Sequence, residues 1–283
     1  MVYNIGVIGK GFVGSAVEYG FTNLKKNKFN VRIFDTKTEL CTNSFEDTVN
    51  FSDIIFISVP TPSNLDGSIN LDIVDKLLQD IEIIYNGQAI ILLRSTVVPG
   101  TTADFQKKYS KLKIVFNPEF LTEANANEDF VNQDRIILGG QSENVNYVEK
   151  FYQTRFGSSI PIIKTNYQTA EMIKYMNNCF LAAKVSFMNE MKQLSEKSEV
   201  DWAQAVNGFL MDSRIGKSHY SVPGPDGKPG FGGSCFPKDV RAILHYAKSK
   251  NINLQTLEGA WKTNLLVRSE KDWEKLKGRS VVE

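Results

Sequence analysis

Short runs of consecutive apolar, largely β-branched residues alternate with amphipathic stretches through the first 165 residues or so. Tyr3–Ile8, Asn30–Phe34, Asp53–Val59, Ala89–Leu93, Ile114–Phe116 and Arg135–Leu138 have the composition of strands buried on both faces. Ser15–Leu24, Leu71–Tyr85 and Thr101–Tyr109 can supply crossover helices between them. The alternation predicts an α/β fold, a Rossmann-like, doubly wound parallel sheet that binds ligands beyond the carboxyl ends of its strands. Beyond it the pattern changes. Residues 165–199 hold no proline or glycine, and Met172, Met176, Cys179, Ala183, Phe187, Met191 and Leu194 form a stripe at helical spacing. Ile173, Phe180 and Val185 fall off that stripe, so the helix is expected to be buried on more than one side. Val200–Met211, Lys238–Ser249 and Leu254–Leu276 read as further helices, separated by a polar, glycine- and proline-rich loop over residues 213–233. The expected organisation is a nucleotide-binding domain over 1–165, a long helix over 166–200 and a helical domain over 201–283.

Composition narrows the function classes. Of the 283 residues, 42% are hydrophobic and 23% charged, an ordinary globular balance. Lys and Arg number 33 against 32 Asp and Glu, so no global field favours nucleic acid or an anionic membrane. No apolar run approaches the ~20 residues of a spanning helix. The N-terminus enters a strand directly, without the layout of a signal peptide. Three cysteines, Cys41, Cys179 and Cys235, are sparse and lack metal-ligand spacing. A reducing, cytoplasmic setting is expected, with no metal.

The first strand runs straight into Gly9-Lys10-Gly11-Phe12-Val13-Gly14, then a helix, then a second strand ending in Asp35. A G-x-G-x-x-G turn in this setting permits the tight bend and the close approach of a pyrophosphate to a helix N-terminus. An acid closing the second strand accepts hydrogen bonds from a ribose 2′-hydroxyl and repels a 2′-phosphate, selecting NAD over NADP. The loops Val59–Pro62, Ser95–Gly100 and Asn117–Leu121 end further strands at the same edge.

The densest candidate chemistry lies in PGFGGSCFPKD, residues 229–239. Gly232 and Gly233 free the backbone, Pro237 suits a helix entry, and Cys235 then sits near a helix N-terminus with Lys238 nearby. Both features favour a thiolate. A buried packing cysteine is the alternative, and partners elsewhere decide between the two. Lys174 and Asn178 stand one turn apart on the long helix, and Asn177-Asn178 is poor helix material among good formers.

Taken together, GKGFVG (9–14), Asp35, VPTP (59–62), STVVPGTT (95–102), NPEFLTE (117–123), DRIILGG (134–140), TAEMIKYMNNCFLAAKVSFMNE (169–190), SRIG (213–216) and GFGGSCFPKD (230–239) run in the order of a known family. The chain resembles the UDP-glucose/GDP-mannose (nucleotide-sugar) 6-dehydrogenases, in particular the UDP-glucose 6-dehydrogenase group. The resemblance implies four-electron oxidation of a sugar C6 alcohol to a carboxylate with two NAD, through a covalent adduct on a cysteine. By motif position it implies Cys235 as nucleophile, Lys174 and Asn178 stabilising an oxyanion, and Asp239 working with Lys174 around water. It makes Glu119 the base for thioester hydrolysis, with Thr96 orienting the water. Cofactor contacts are implied at Gly9, Gly11, Phe12, Val13, Gly14, Asp35, Pro60, Thr61, Thr96, Glu123 and Lys238. Substrate contacts are implied at Glu119, Phe120, Leu121, Glu123, Lys174, Asn178, Tyr220, Phe231, Gly232, Gly233 and Cys235. Arg214 of SRIG matches an arginine that reaches a neighbouring subunit's substrate site, which implies a homodimer through the long helix. Cys179 is expected to be a packing residue, and Cys41 has no assigned place.

Three departures qualify the resemblance. The chain stops at LKGRSVVE, where the family's second α/β domain begins, so a short form or a fragment is expected, with the nucleotide less enclosed. The loop 217–230 is longer than the family's and is expected to cover the nucleotide instead. In addition, Ala124-Asn125 replaces the usual glycine and small residue. The competing readings are a catalytically impaired NAD- and nucleotide-sugar-binding protein, another sugar such as GDP-mannose or UDP-N-acetylglucosamine, and a two-electron hydroxy-acid dehydrogenase. The last leaves the Cys235 motif without a role.

Overall fold

Seven strands, β1 (Tyr3–Ile8), β2 (Phe29–Phe34), β3 (Ile54–Ile57), β4 (Ile90–Leu93), β5 (Ile114–Phe116), β6 (Ile136–Gly140) and β7 (Ile162–Thr165), form one sheet in the order β2-β1-β3-β4-β5-β6-β7. The computed structural model describes residues 2–23 and 28–282. The end of the first expected helix, at Leu24, lies outside them. Alternation along each strand feeds two cores. Ile5, Val7, Phe56, Leu92 and Leu138 join one, while Ile55, Ile57, Ile91, Leu93 and Ile137 join the other. Burial on both faces is why these strands read as unbroken apolar runs.

Helices α1 (Phe12–Thr22), α2 (Phe45–Asn50), α3 (Asp72–Ile84), α4 (Thr101–Lys108), α5 (Ala126–Val131) and α6 (Ser142–Phe156) connect the strands. The sheet is parallel except between β5 and β6, which pair antiparallel. Apart from this one pairing, the sheet is the Rossmann-like parallel sheet that the alternation predicts. The β5–β6 connection has no crossover helix to carry it back across the sheet; its short helix α5 packs against α1. Residues 117–135 therefore stay at the carboxyl edge, the edge that also carries the glycine turn. The strand β7 and helices α2, α5 and α6 lay outside the elements read from the pattern.

The helix α7 (Tyr167–Lys197) is followed by α8 (Trp202–Phe209), α9 (Phe236–Ser249) and α10 (Gln255–Val267). Two compact units result: residues 1–61 with 71–174, and residues 62–70 with 175–283. In the second unit, Ser63 bridges to Val281, and the Ser186 hydroxyl on α7 donates to the Ala260 carbonyl on α10 at 2.7 Å. The stripe on α7 departs from its expected burial. Ala170, Tyr175, Cys179, Ala182 and Met188 are buried, whereas Met172, Met176, Phe187 and Leu194 are exposed, and Phe180, expected off the stripe and buried, is exposed on the same face as they are. The covered side uses mostly small residues with Tyr175 and Met188 among them, and the other large apolar residues of the stripe face outward.

Candidate functional site

The glycine turn has the shape its sequence demands. Gly9 has φ +91°, and a Cβ at Gly14 would stand 2.0 Å from the Gly9 carbonyl oxygen, so no larger residue fits there. Gly11 is the N-cap residue of α1 and brings no side-chain acceptor to its first turn. Asp35 stands against this turn, its Oδ2 accepting the Lys10 N–H at 2.6 Å and its Oδ1 the Lys37 N–H at 2.9 Å. An uncapped helix N-terminus with a carboxylate at the adjacent strand end fits a dinucleotide's pyrophosphate and ribose. Phe12 and Val13 are half-buried behind the turn. Cys41, which the sequence left unplaced, lies here. Its thiol accepts the Asp35 N–H at 3.2 Å and donates to the Asp35 carbonyl at 3.1 Å.

The other carboxyl-edge loops of this unit are pinned from several directions. Ser95 Oγ donates to the Val59 carbonyl at 2.7 Å, and Thr61 Oγ1 to the Thr96 carbonyl at 2.9 Å, while Pro60 is exposed. Asn117 accepts from the buried Arg94 guanidinium at 2.8 Å and donates to the Ile137 carbonyl at 2.9 Å. That fixes the strip two residues before Glu119. Lys174 Nζ, on α7, reaches Glu119 Oε1 at 2.9 Å and also its carbonyl oxygen. The other carboxylate oxygen accepts the Leu121 N–H at 2.8 Å. Both charged groups are almost wholly buried, with the ammonium 5.4 Å from the centre of the Phe120 ring. Glu123 is exposed in a single 3-10 turn over Glu123–Asn125.

A second cluster lies in the other unit, around the start of α9. Cys235 is the N-cap residue of α9, half-exposed, with Pro237 in the first turn. Asp239, 1% exposed, accepts from Asn178 Nδ2 at 2.6 Å and from Lys238 Nζ at 2.7 Å. The Lys238 ammonium thus sits on Asp239. Lys174 and Asn178 are one turn apart on the unbroken helix α7, as their spacing predicted. Cys179 is buried, and burial, with Asp239 nearby, pushes its thiol well above the usual range. It packs and does not ionise.

The loop leading to Cys235 is templated by α10 and the segment after it. Asn264 brackets Phe231, accepting its N–H at 2.7 Å and donating to its carbonyl at 2.9 Å. Arg268, 3% exposed, pairs with Asp226 at 2.6 Å and Asp272 at 2.7 Å, and Asp272 accepts the Gly233 N–H at 2.8 Å. A Cβ at Gly232 would stand 2.3 Å from Arg268 Nη2, which is why glycine precedes the thiol there. The loop 217–230 is therefore tied to α10 through Asp226. Tyr220 is half-exposed. Arg214 lies at the surface, its guanidinium on Asp212 at 2.5 Å. The sequence offered no sign of Asn264, Arg268 or Asp272, since their role is a matter of tertiary contact.

A dinucleotide-binding α/β unit with a helical unit that presents a cysteine at a helix N-terminus is the class these features define. The NAD binding domain of the UDP-glucose/GDP-mannose dehydrogenase family matches residues 34–155, and that family's central domain matches residues 168–265. The chain belongs to this family. It is 32% identical over 293 residues to a UDP-glucose 6-dehydrogenase of Rickettsia bellii, covering 92% of this chain and 66% of the relative. It is 37% identical over 230 residues to the UDP-glucose 6-dehydrogenase TuaD of Bacillus subtilis, covering 79% of this chain and 48% of that one. The fold matches a UDP-glucose dehydrogenase of Pyrobaculum islandicum with a TM-score of 0.83 at 26% identity, over 94% of this chain and 68% of the other. The chain thus spans about half to two thirds of the relatives' length. The cofactor of the first unit is NAD.

Proposed function

We propose that the chain is an NAD-dependent nucleotide-sugar 6-dehydrogenase that oxidises the C6 alcohol of UDP-glucose to the carboxylate through Cys235. The observation that carries this reading is the Asp239 carboxylate, bridging Asn178 and Lys238 one turn beyond Cys235. Buried charges are costly unless paired, and such clusters beside a nucleophile are characteristic of reaction sites.

Bound NAD supplies a hydride acceptor for each of the two oxidations. In the first, the C6 alcohol gives up its hydroxyl proton and a hydride and becomes an aldehyde. Cys235 adds to that carbon, and the new S–C6 bond of the thiohemiacetal holds the aldehyde in place. Lys174 and Asn178 donate to the oxygen that carries the developing charge. Loss of a second hydride and the hydroxyl proton leaves a thioester. Glu119 takes a proton from water, whose oxygen bonds to C6 as the S–C6 bond breaks, returning Cys235 and releasing the acid. Thr96 orients that water. The balance is one nucleotide sugar, two NAD and one water in, and one uronate, two NADH and three protons out. A stoichiometry of two NADH per sugar tests the reading; one NADH per sugar, or none, overturns it.

We also propose a homodimer through α7. Met172, Met176, Phe180, Phe187 and Leu194 recur at intervals of four and seven residues and leave an apolar stripe on the outside of the single chain. A stripe of this length suits a second copy of the same helix.

A further inference from the structure

Glu171 is a fully buried carboxylate that the reaction sequence above leaves without a task. It sits on α7 one turn before Lys174, and its side chain crosses to the start of α4. Glu171 Oε2 accepts the Gly100 N–H at 2.6 Å, and Oε1 accepts the Thr102 N–H at 2.7 Å. These are backbone donors that a helix N-terminus leaves unpaired. Gly100, at φ +104°, offers no side chain to meet them. A carboxylate from about seventy residues away in sequence thus serves as the cap.

The cap closes the loop Ser95–Gly100. At its other end that loop is fixed by Ser95 on the Val59 carbonyl and by Thr61 on the Thr96 carbonyl. Glu171 fixes the far end to the helix whose next turn delivers Lys174 to Glu119. We infer that Glu171 is a positioning residue, a clamp that holds the Thr96 loop in register with Lys174 and Glu119. This inference rests on the reaction proposed above for its consequence in turnover, but not for the clamp itself.

The chemistry of the clamp makes it responsive to protons. Burial raises the Glu171 carboxyl to about 7, against the lowering effect of the Thr102 and Gly100 donors, and Asp104 on α4 adds to the rise. Burial, and after it the Glu171 charge, raises the phenol of Tyr167, on α7 itself. A protonated carboxyl turns an O–H toward one of two N–H donors and loses that bond, so the clamp loosens as the carboxyl protonates.

Amide hydrogen exchange and steady-state kinetics on the full chain test this, with wild type and Glu171→Gln compared. Gln keeps the volume but turns an amide N–H₂ toward one backbone N–H. The expected result is exchange of the Gly100 and Thr102 amides roughly tenfold faster in the variant. In the wild type, after correction for intrinsic rates, their protection falls as pH drops from about 8 to about 6. With UDP-glucose and NAD, kcat falls about tenfold in the variant with KM values nearly unchanged, because a misplaced catalytic group costs rate before binding. An inflection near pH 7 in the wild-type kcat profile is expected to be absent from the variant. Unchanged protection in both comparisons overturns the clamp, and faster exchange with an unchanged kcat and pH profile overturns its role in positioning. If the wild type oxidises no nucleotide sugar, the functional reading has failed. The clamp is then decided by exchange alone.

Discussion

Lys174 Nζ stands 2.9 Å from Glu119 Oε1, with both side chains less than a tenth exposed. An ion pair so buried is expensive to break from one side, because the remaining charge has no water to turn to. Glu119→Gln leaves the Lys174 ammonium facing a neutral amide and the Glu119 carbonyl. We expect a loss of about 3 kcal/mol in unfolding free energy, read by denaturant titration, together with a large fall in turnover. The double variant Lys174→Met/Glu119→Gln is expected to recover most of that stability and none of the activity.

The three cysteines differ in environment, and so in reactivity. Cys179 is buried and held protonated, and the Cys41 thiol is engaged with the Asp35 backbone, while Cys235 is half-exposed at the start of α9. Limited alkylation followed by peptide mass analysis is expected to modify Cys235 first and Cys179 only after unfolding. Preferential modification of Cys179 in the folded protein would contradict the packing role assigned to it.

Glu171 gives the fold a pH dependence with a definite sign. Its carboxyl titrates at about 7 in the folded chain, raised by burial from an ordinary 4.5. Between those values the folded state holds a proton that the unfolded chain has released. The associated stability is fully present below the lower value and is lost as pH rises through the upper one. The full span is on the order of 3 kcal/mol. In Glu171→Gln the fall in denaturation midpoint between about pH 5 and pH 7.5 is expected to flatten. An identical slope in both proteins would remove Glu171 as its source.

The outward stripe on α7 predicts the assembly state. Phe180→Asp places a charge in the middle of the apolar face without touching a buried contact, since Phe180 is 68% exposed in the single chain. Sedimentation of the wild type is expected to give a dimer and that of the variant a monomer. A wild-type monomer at micromolar concentration would count against the proposed interface.

How much of this was legible beforehand differs by element. Each of the six strands read from apolar runs is present, because burial on both faces leaves an unmistakable signature; β7 was missed because its side chains are only partly covered. The antiparallel turn at β6 had no local signal, as strand direction depends on where α5 packs. The alignment of Lys174 with Asn178 followed from helical periodicity alone. The burial of the α7 stripe did not, because periodicity marks an apolar face without saying whether the same chain covers it. The acids and amides that pin the loops within each unit, Glu171 in the first and Asn264 and Asp272 in the second, were invisible for a different reason. Each acts on backbone N–H groups far away in sequence.

The central claim is that Cys235 carries the sugar between two oxidations. The most direct test counts NADH formed per UDP-glucose by the wild type and by Cys235→Ser, with the products identified by mass. The expected result is two NADH and the uronate for the wild type, and no complete oxidation by the variant. Two NADH per sugar from Cys235→Ser, or a single NADH per sugar from the wild type, would contradict it.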